Sequence, residues 1–212
     1  MTPRGVTSDL VNSPRLIAPV ALAAAAASLL TLSACGSKTE TSTPSSASVT
    51  QMATTPARPN STCPSLAPDK GTPAEWTLTG ATGSIAVTGS TDTAAPRVDV
   101  TVPFSVDATQ VKTLKAGDGP VVAPTATVSV CYMGVDGRDG HVFDSSYNRG
   151  EPVEFPLDGV VPGFQKAIAG QKVGSTVAVA MVSADGYPQG QPRAGIAPGD
   201  TLIFAIKILS AS

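Results

Sequence analysis

The chain has 212 residues, a formal net charge of -2 and an apolar fraction of 42%. This length allows one or two domains, and so small a charge argues against electrostatic binding to nucleic acid or anionic lipid. We therefore expect no nucleic acid among its partners. Most aromatic side chains lie in the C-terminal half, where their large buried areas predict the principal core.

The first 34 residues have the pattern of an export signal. Arg4 and Arg15 flank a polar start, and an uncharged, alanine-rich apolar run follows from residue 16 to residue 32. A basic region followed by an apolar region is typical of secretory signals. The run is short for a stable transmembrane span, which needs roughly 20 strongly apolar residues.

The apolar run ends in Leu-Ser-Ala-Cys, which places Cys35 directly after a small-residue cleavage site. This pattern resembles a bacterial lipoprotein signal, whose cysteine becomes the lipidated first residue of the mature protein. We therefore expect Cys35 to anchor the exported protein to the outer face of the cytoplasmic membrane or the cell surface. The alternative is a plain secretion signal cleaved near Ala34, in which Cys35 is incidental.

Residues 35–60 are rich in Ser, Thr, Ala and Pro and contain hardly any large apolar side chain. Such a segment cannot bury enough apolar surface to offset the entropy lost on ordering. We interpret it as a flexible tether that holds a folded domain away from the membrane.

Residues 61–117 predict a β-rich N-terminal extension. The segments with strand character, which mostly alternate apolar and polar residues, are residues 76–79, 84–88, 97–106 and 111–115. Pro103 cannot donate to a β-ladder and predicts that its strand lies at a sheet edge. We favour an extension that packs against the C-terminal domain; a small separate β module is the alternative.

The cysteines bear on contact between the extension and the C-terminal domain. The chain has three, so lipidation of Cys35 would leave Cys63 and Cys131 in an oxidising compartment. A disulfide between them would join the extension to the outer face of the sheet, because Cys131 faces away from Tyr132 on its strand. The alternative is two separate buried thiols.

Residues 118–212 predict an α+β domain. Pro162 suits the first turn of a helix and Gly170 its end, which predicts one short helix between them. The segments with strand periodicity are residues 125–133, 141–143, 153–157, 177–181 and 202–208. The sum is an antiparallel sheet with a single helix.

Four motifs in this domain point to a family. They are Phe-Asp-Ser-Ser from Phe143, Val-Val-Pro-Gly-Phe from Val160, Gly-Tyr-Pro-Gln-Gly from Gly186 and Gly-Asp-Thr-Leu-Ile-Phe from Gly199. With these motifs, residues 121–209 resemble the FKBP-type peptidyl-prolyl cis–trans isomerases, the macrolide-binding immunophilins. The resemblance implies a curved antiparallel sheet wrapped over one short helix, with an apolar pocket between them. It also implies proline-containing polypeptides as substrates and macrolides as inhibitors.

The resemblance also implies the site residues. Asp144 would contact the ligand, with Tyr132 and Arg149 supporting it, while the Val161 N–H and the Tyr187 hydroxyl would donate to ligand carbonyls. The residues that match catalytic positions are Tyr132, Phe143, Asp144, Val161, Phe164, Tyr187 and Phe204. Those that match substrate-binding positions are Arg149, Val153, Phe155, Val160 and Ile196.

The sequence departs from the family pattern at three places. Phe164 stands where tryptophan typically forms the pocket floor, and Val153 stands where an aromatic residue is common. The loop of residues 188–195 carries Pro192, Arg193 and Gly195 where a bulkier apolar lip often lies. These differences concern catalytic rate, substrate preference and macrolide affinity rather than the fold.

Prolyl isomerisation fits the available side chains. The chain has one histidine, His141, which argues against a histidine-dependent triad or a zinc cluster. Rotation about an amide bond breaks no bond to carbon and requires no nucleophile, metal or cofactor. We therefore predict an isomerase that assists folding of exported proteins. The alternatives are a module that binds proline-containing segments without turnover and a surface lipoprotein whose domain is a spacer.

Overall fold

The computed structural model describes residues 62–212. The predicted signal peptide and tether, including Cys35, lie outside the described residues. No helix within residues 62–212 is long and apolar enough to cross a membrane.

The first three strands in the sequence make a small antiparallel sheet. Its strands, in the order β1-β2-β3, are β1 (Trp76–Thr79), β2 (Thr82–Thr88) and β3 (Arg97–Ser105). β3 lies at an edge of this sheet, which is the position that Pro103 predicts.

The main sheet has six strands, and all its pairings are antiparallel. The strands are β4 (Gln110–Lys115), β5 (Thr127–Asp136), β6 (Val142–Ser145), β7 (Val153–Pro156), β8 (Thr176–Met181) and β9 (Leu202–Ala211). Their order is β4-β8-β9-β5-β6, with β7 also paired to β5. β4 comes from the segment interpreted as an extension, so the sheet draws one strand from before residue 118.

Two short α-helices follow β6 and β7. The helix α1 (Ser146–Arg149) continues directly from β6. The helix α2 (Pro162–Ile168) has proline at its first turn, and Gly170 adopts a φ of 81° just beyond its end. α2 is the short helix that the sequence predicts between Pro162 and Gly170.

The core lies between α2 and the inner face of the main sheet. Phe164, Ala167 and Ile168 of α2 pack on that face. The buried sheet residues they join include Val128, Val130, Val177, Val179, Phe204 and Ile206. The predicted α+β architecture, a curved sheet around one short helix, is confirmed.

The small sheet covers the opposite face of the main sheet. Ile85, Val87 and Phe104 of the small sheet are buried there. They share a cluster with small or branched residues of the main sheet, namely Val135, Ala178, Ala180, Ile203 and Ala205. The central strands β8 and β9 are therefore buried on both faces, which explains why they are nearly continuous apolar runs.

A disulfide joins Cys63 to Cys131 on β5. Both cysteines are buried in a cluster with Ala95 and Tyr147. The Cys63 N–H also donates a hydrogen bond to the Gly150 carbonyl, at 3.0 Å, just after α1. The first described segment of the chain is thus fastened to β5 and to the end of α1.

A buried acid pair lies where β5 ends and just before β9 begins. The Asp136 side chain is only 2% exposed and faces the nearly buried Asp200, and Arg138 bridges the two carboxylates. Burial, with Asp200 beside it, raises the pKa of Asp136 to about 6. The folded state therefore binds a proton at Asp136 that the unfolded chain releases near pH 4.

Replacement of Asp136 by asparagine should change how stability depends on pH. In the wild type, this group reduces the free energy of unfolding as pH rises from about 4 to about 6, because ionisation is costlier when folded. Asp136→Asn should remove that decline, which amounts to at most about 3 kcal/mol by pH 7, because one pKa unit corresponds to about 1.4 kcal/mol. Urea unfolding at several pH values measures this, with Asp139→Asn, an exposed partner of Arg138, as control. Identical pH slopes for wild type and variant would contradict it.

Candidate functional site

An apolar pocket opens beside α2 on the inner side of the main sheet. It encloses about 290 Å³. Its lining residues are Tyr132, Phe143, Asp144, Val153, Phe155, Gly159, Val160, Val161, Phe164, Tyr187 and Phe204. The structure thus brings together residues from β5, β6, β7, α2, β9 and two loops, and ten of these eleven were predicted from the sequence.

Phe164 of α2 forms the pocket floor. Its ring centroid lies 5.0 Å from that of Phe204, 5.5 Å from Phe155 and 5.7 Å from Tyr132. All three contacts are edge-to-face, the geometry that aromatic quadrupoles favour. A phenylalanine at the position usually held by tryptophan therefore still gives a packed aromatic floor.

Gly134 on β5 allows two of the aromatic walls to close together. A Cβ atom at this position would lie 2.6 Å from Phe143 Cζ and 2.8 Å from Phe204 Cε1. Both distances are too short for any side chain, so glycine is required for these rings to occupy their places. Sequence reasoning missed Gly134 because a glycine inside a strand shows no sign of which rings it faces.

One charged network lies at the pocket wall. The Tyr132 hydroxyl donates a hydrogen bond to Asp144 Oδ2, and the Arg149 guanidinium donates to Asp144 Oδ1. The Arg149 guanidinium also lies 6.0 Å from the centre of the Tyr132 ring. Asp144 is thereby held from two sides, as the sequence predicts for its two supporting residues.

The network shifts the protonation of its members. Burial, reinforced by the hydrogen bond to Asp144, raises the pKa of Tyr132 to about 12. Burial alone would raise the pKa of Asp144, but hydrogen bonds from Tyr132 and Arg149 outweigh it and lower that pKa below its usual value. At neutral pH the network therefore consists of a neutral phenol, a carboxylate and a guanidinium.

Two hydrogen-bond donors at the pocket are free of protein acceptors. Val161 precedes the first turn of α2, and its N–H donates to no group of residues 62–212. The Tyr187 hydroxyl, from the loop after β8, likewise makes no hydrogen bond within the described part of the chain. These are the two donors that the sequence predicts for ligand carbonyls.

Two predicted site residues lie outside the lining. Arg149 is half exposed and acts on the pocket through Asp144. Ile196 is buried in the same apolar core as Phe164 and Phe204. The loop before Ile196 forms a single helical turn at residues 192–194 and closes through the Gln191–Ile196 backbone bonds.

Residues 62–212 contain no group of three or more His, Cys, Asp or Glu side chains placed to hold a metal ion. The pocket offers instead aromatic surface, one carboxylate and two free donors. This combination can bind an apolar ring next to a pair of carbonyl groups.

Comparison with known proteins assigns the family. The model of the family described as FKBP-type peptidyl-prolyl cis-trans isomerase matches residues 119–209. A probable FK506-binding protein of Corynebacterium glutamicum is 33% identical over 117 residues, which are 55% of this chain and 98% of that protein. The chain belongs to the FKBP-type peptidyl-prolyl cis-trans isomerase family. The assignment that the four motifs predict is confirmed, and with it the prediction of an isomerase enzyme.

Other members of the FKBP family match the same region. An FK506-binding protein of Streptomyces anulatus is 38% identical over 47% of this chain and 83% of its own length. The FKBP-type 22 kDa isomerase of Escherichia coli is 39% identical, over 47% of this chain and 48% of that protein. The solved structure of FkpA from Escherichia coli has 34% identity and a TM-score of 0.45, covering 49% of this chain and 48% of that one. The chain thus spans about half the length of the Escherichia coli relatives.

Removal of the Tyr132 hydroxyl should raise the pKa of Asp144. Tyr132→Phe keeps the ring in the pocket but deletes one of the two hydrogen bonds that stabilise the carboxylate. A carboxyl-carbon NMR titration should therefore show Asp144 protonating at a higher pH than in the wild type. Tyr187→Phe is the matched control, because its hydroxyl does not contact Asp144. An unchanged Asp144 pKa in Tyr132→Phe would contradict the network.

Proposed function

We propose that this FKBP-family chain accelerates rotation about Xaa-Pro peptide bonds of exported proteins, and that the aromatic pocket is where it does so. The observation that carries this proposal is the pairing of a formed aromatic pocket with two free donors, the Val161 N–H and the Tyr187 hydroxyl. Proline-containing segments present an apolar ring beside two carbonyl groups, which matches that arrangement.

Rotation is slow because resonance makes the planar amide stable, with a barrier of about 18–20 kcal/mol. Twisting the bond removes the resonance and with it part of the charge separation across the amide. An apolar pocket that excludes water therefore favours the twisted form relative to either planar form. No covalent step is needed. The protein contributes a pocket that fits the twisted amide, excludes water and supplies a few hydrogen bonds.

Each part of the pocket has a role in this scheme. The rings of Phe143, Phe164 and Phe204 enclose the pyrrolidine ring of the substrate proline. The Val161 N–H and the Tyr187 hydroxyl bind substrate carbonyls and hold the chain on both sides of the twisting bond. Asp144, fixed by its two partners, faces the carbonyl carbon whose environment changes as the amide twists.

The alternatives from the sequence are less well supported. A spacer lipoprotein does not need a pocket, yet the pocket is formed and lined by aromatic rings at close contact. A binding module without turnover does not require the Tyr132–Asp144–Arg149 network, which is intact. The relatives named as isomerases also favour catalysis.

Isomerase activity can be tested on Xaa-Pro peptides by NMR exchange or a protease-coupled assay. Tyr187→Phe should lower kcat/KM about two- to tenfold, because one hydrogen bond contributes about 0.5–1.5 kcal/mol. Asp144→Asn should also lower kcat/KM, since it removes the charge on the pocket wall. The control is Asp158→Asn, which changes an exposed carboxylate on the adjacent turn at residues 157–159 and should leave kcat/KM unchanged.

A folded wild-type protein that accelerates no Xaa-Pro peptide, across several Xaa residues, would exclude the isomerase and leave the binding module. Equal losses in Asp144→Asn and Asp158→Asn would place the active site elsewhere.

We infer further that the protein is exported and anchored by lipid at Cys35. Two observations support export. The N-terminal pattern resembles a lipoprotein signal, and the Cys63–Cys131 disulfide is of a kind that persists mainly in oxidising compartments. Its substrates would then be proteins that fold outside the cytoplasmic membrane.

Replacement of Cys35 tests the anchor. In the native bacterial host, Cys35→Ser should move the protein from the membrane fraction to the soluble exported fraction, because the residue that carries the lipid is lost. Fractionation and intact mass measure this, with Ser37→Ala as the control for a change just after the cleavage site. Membrane retention of Cys35→Ser, or a wild-type mass without lipid, would contradict lipidation.

Macrolides are the proposed inhibitors. Two relatives are named FK506-binding proteins, and the pocket has the apolar lining that a large macrocycle requires. Inhibition of the isomerase assay by increasing concentrations of FK506 would measure the affinity of this macrolide for the pocket.

A further inference from the structure

A buried cluster lies directly behind the charged network of the pocket. It contains the Cys63–Cys131 disulfide and Ser146, which is fully buried at the start of α1. Cys131 immediately precedes Tyr132 on β5, and successive strand residues face opposite sides. The disulfide therefore lies on the far side of the strand from the pocket.

Ser146 binds the backbone of Tyr132. Its Oγ accepts a hydrogen bond from the Tyr132 N–H at 2.8 Å and lies 3.3 Å from the Tyr132 carbonyl oxygen, to which it donates. A single side-chain hydroxyl thus satisfies both backbone groups of the residue that carries the phenol of the network.

The strand pairing explains why a side chain is needed there. On this edge of β5, residues 133–135 pair with β6 and residues 127–130 pair with β7. Residues 131 and 132 fall in the gap between the two partners. Unpaired buried backbone groups are costly, so the Ser146 hydroxyl takes the place of a strand at this point.

Cys63 fixes α1 from the same side. Its Sγ lies 3.5 Å from Ser146 Oγ, and its N–H donates to the carbonyl of Gly150. Gly150 directly follows Arg149, the residue whose guanidinium holds Asp144. Cys63 therefore contacts α1 at its first residue and just beyond its last.

The disulfide consequently connects the two halves of the network. One half is Tyr132 on β5, next to Cys131. The other half comprises Asp144 on β6 and Arg149 on α1, held by Cys63 through Ser146 and Gly150. Asp144 lies on β6, which pairs directly with β5. The place of Arg149 depends instead on how α1 sits against β5, and the disulfide links these two elements.

We propose that Ser146 and the Cys63–Cys131 disulfide are positioning residues for prolyl isomerisation, acting through the placement of Tyr132 and Asp144 at the pocket wall. The proposal rests on the proposed isomerase function. It differs from a purely structural role because it assigns the effect to the geometry of one network rather than to the stability of the domain.

The first test compares Ser146→Ala with Ser145→Ala. Both serines are buried and adjacent, but the Ser145 hydroxyl caps α1 by accepting from the Asn148 N–H and does not reach Tyr132. Ser146→Ala should lower kcat about tenfold with KM little changed, because it displaces groups that act in the transition state. Ser145→Ala should lose some stability and keep its kinetics.

The second test removes the disulfide with Cys63→Ala/Cys131→Ala. Tyr147→Phe is the control, since it deletes a buried hydrogen bond to Ser90 beside the disulfide but removes no hydrogen bond of Ser146. If Ser146 and the disulfide act as a unit, adding Ser146→Ala to the cysteine variant should reduce kcat by far less than Ser146→Ala does in the wild type. Additive losses, or losses equal to that of Tyr147→Phe, would overturn the proposal.

A third measurement does not depend on activity. The Tyr132 phenol, labelled at its ring carbons, can be titrated by NMR in each variant. Loosening the network should lower the pKa of Tyr132 from about 12, because it weakens the hydrogen bond to Asp144 that adds to the effect of burial. An unchanged Tyr132 titration in folded Ser146→Ala would overturn the proposal. If the wild type is inactive but the Tyr132 pKa still changes in Ser146→Ala, the isomerase function is refuted while the structural link from Ser146 to Tyr132 stands.

Discussion

Strand β5 is the constraint on which the rest of the structure depends. It pairs with β9 on one side and with β6 and β7 in succession on the other. Along its ten residues it carries a disulfide partner, the network phenol and the glycine that admits two aromatic rings. Because these groups share one rigid strand, the pocket wall and the buried cluster behind it have a fixed relation to each other.

The pocket combines large apolar surface with few polar groups, and each polar group has a defined state. The carboxylate is paired on both oxygens, the phenol is kept neutral by burial, and two donors remain free for a ligand. A site of this composition loses little by excluding water, because its charges are already satisfied by protein groups. It is therefore suited to a reaction whose transition state is less polar than its ground state, as in rotation about an amide bond.

Most secondary structure could be predicted from the sequence, because the strands alternate and α2 begins with Pro162 and ends before Gly170. The family motifs supplied the pocket residues. The packing of the extension against the outer face of the sheet was expected, but the inclusion of β4 in the main sheet and the roles of Gly134 and Ser146 were not predicted. Alternation shows which side of a strand is buried, but it does not identify the distant segment that buries it, and these features depend on such distant contacts.

The exposed edges at β3 and β4 bear on how the protein meets extended polypeptide chains. An extended polypeptide segment can pair with any open strand edge. β4, an edge of the main sheet, is largely exposed and carries Lys112 and Lys115, while β3 carries Pro103 at the edge of the small sheet. Charge and a missing N–H both discourage a further strand from adding there. Co-aggregation with extended polypeptides along these two edges is therefore disfavoured.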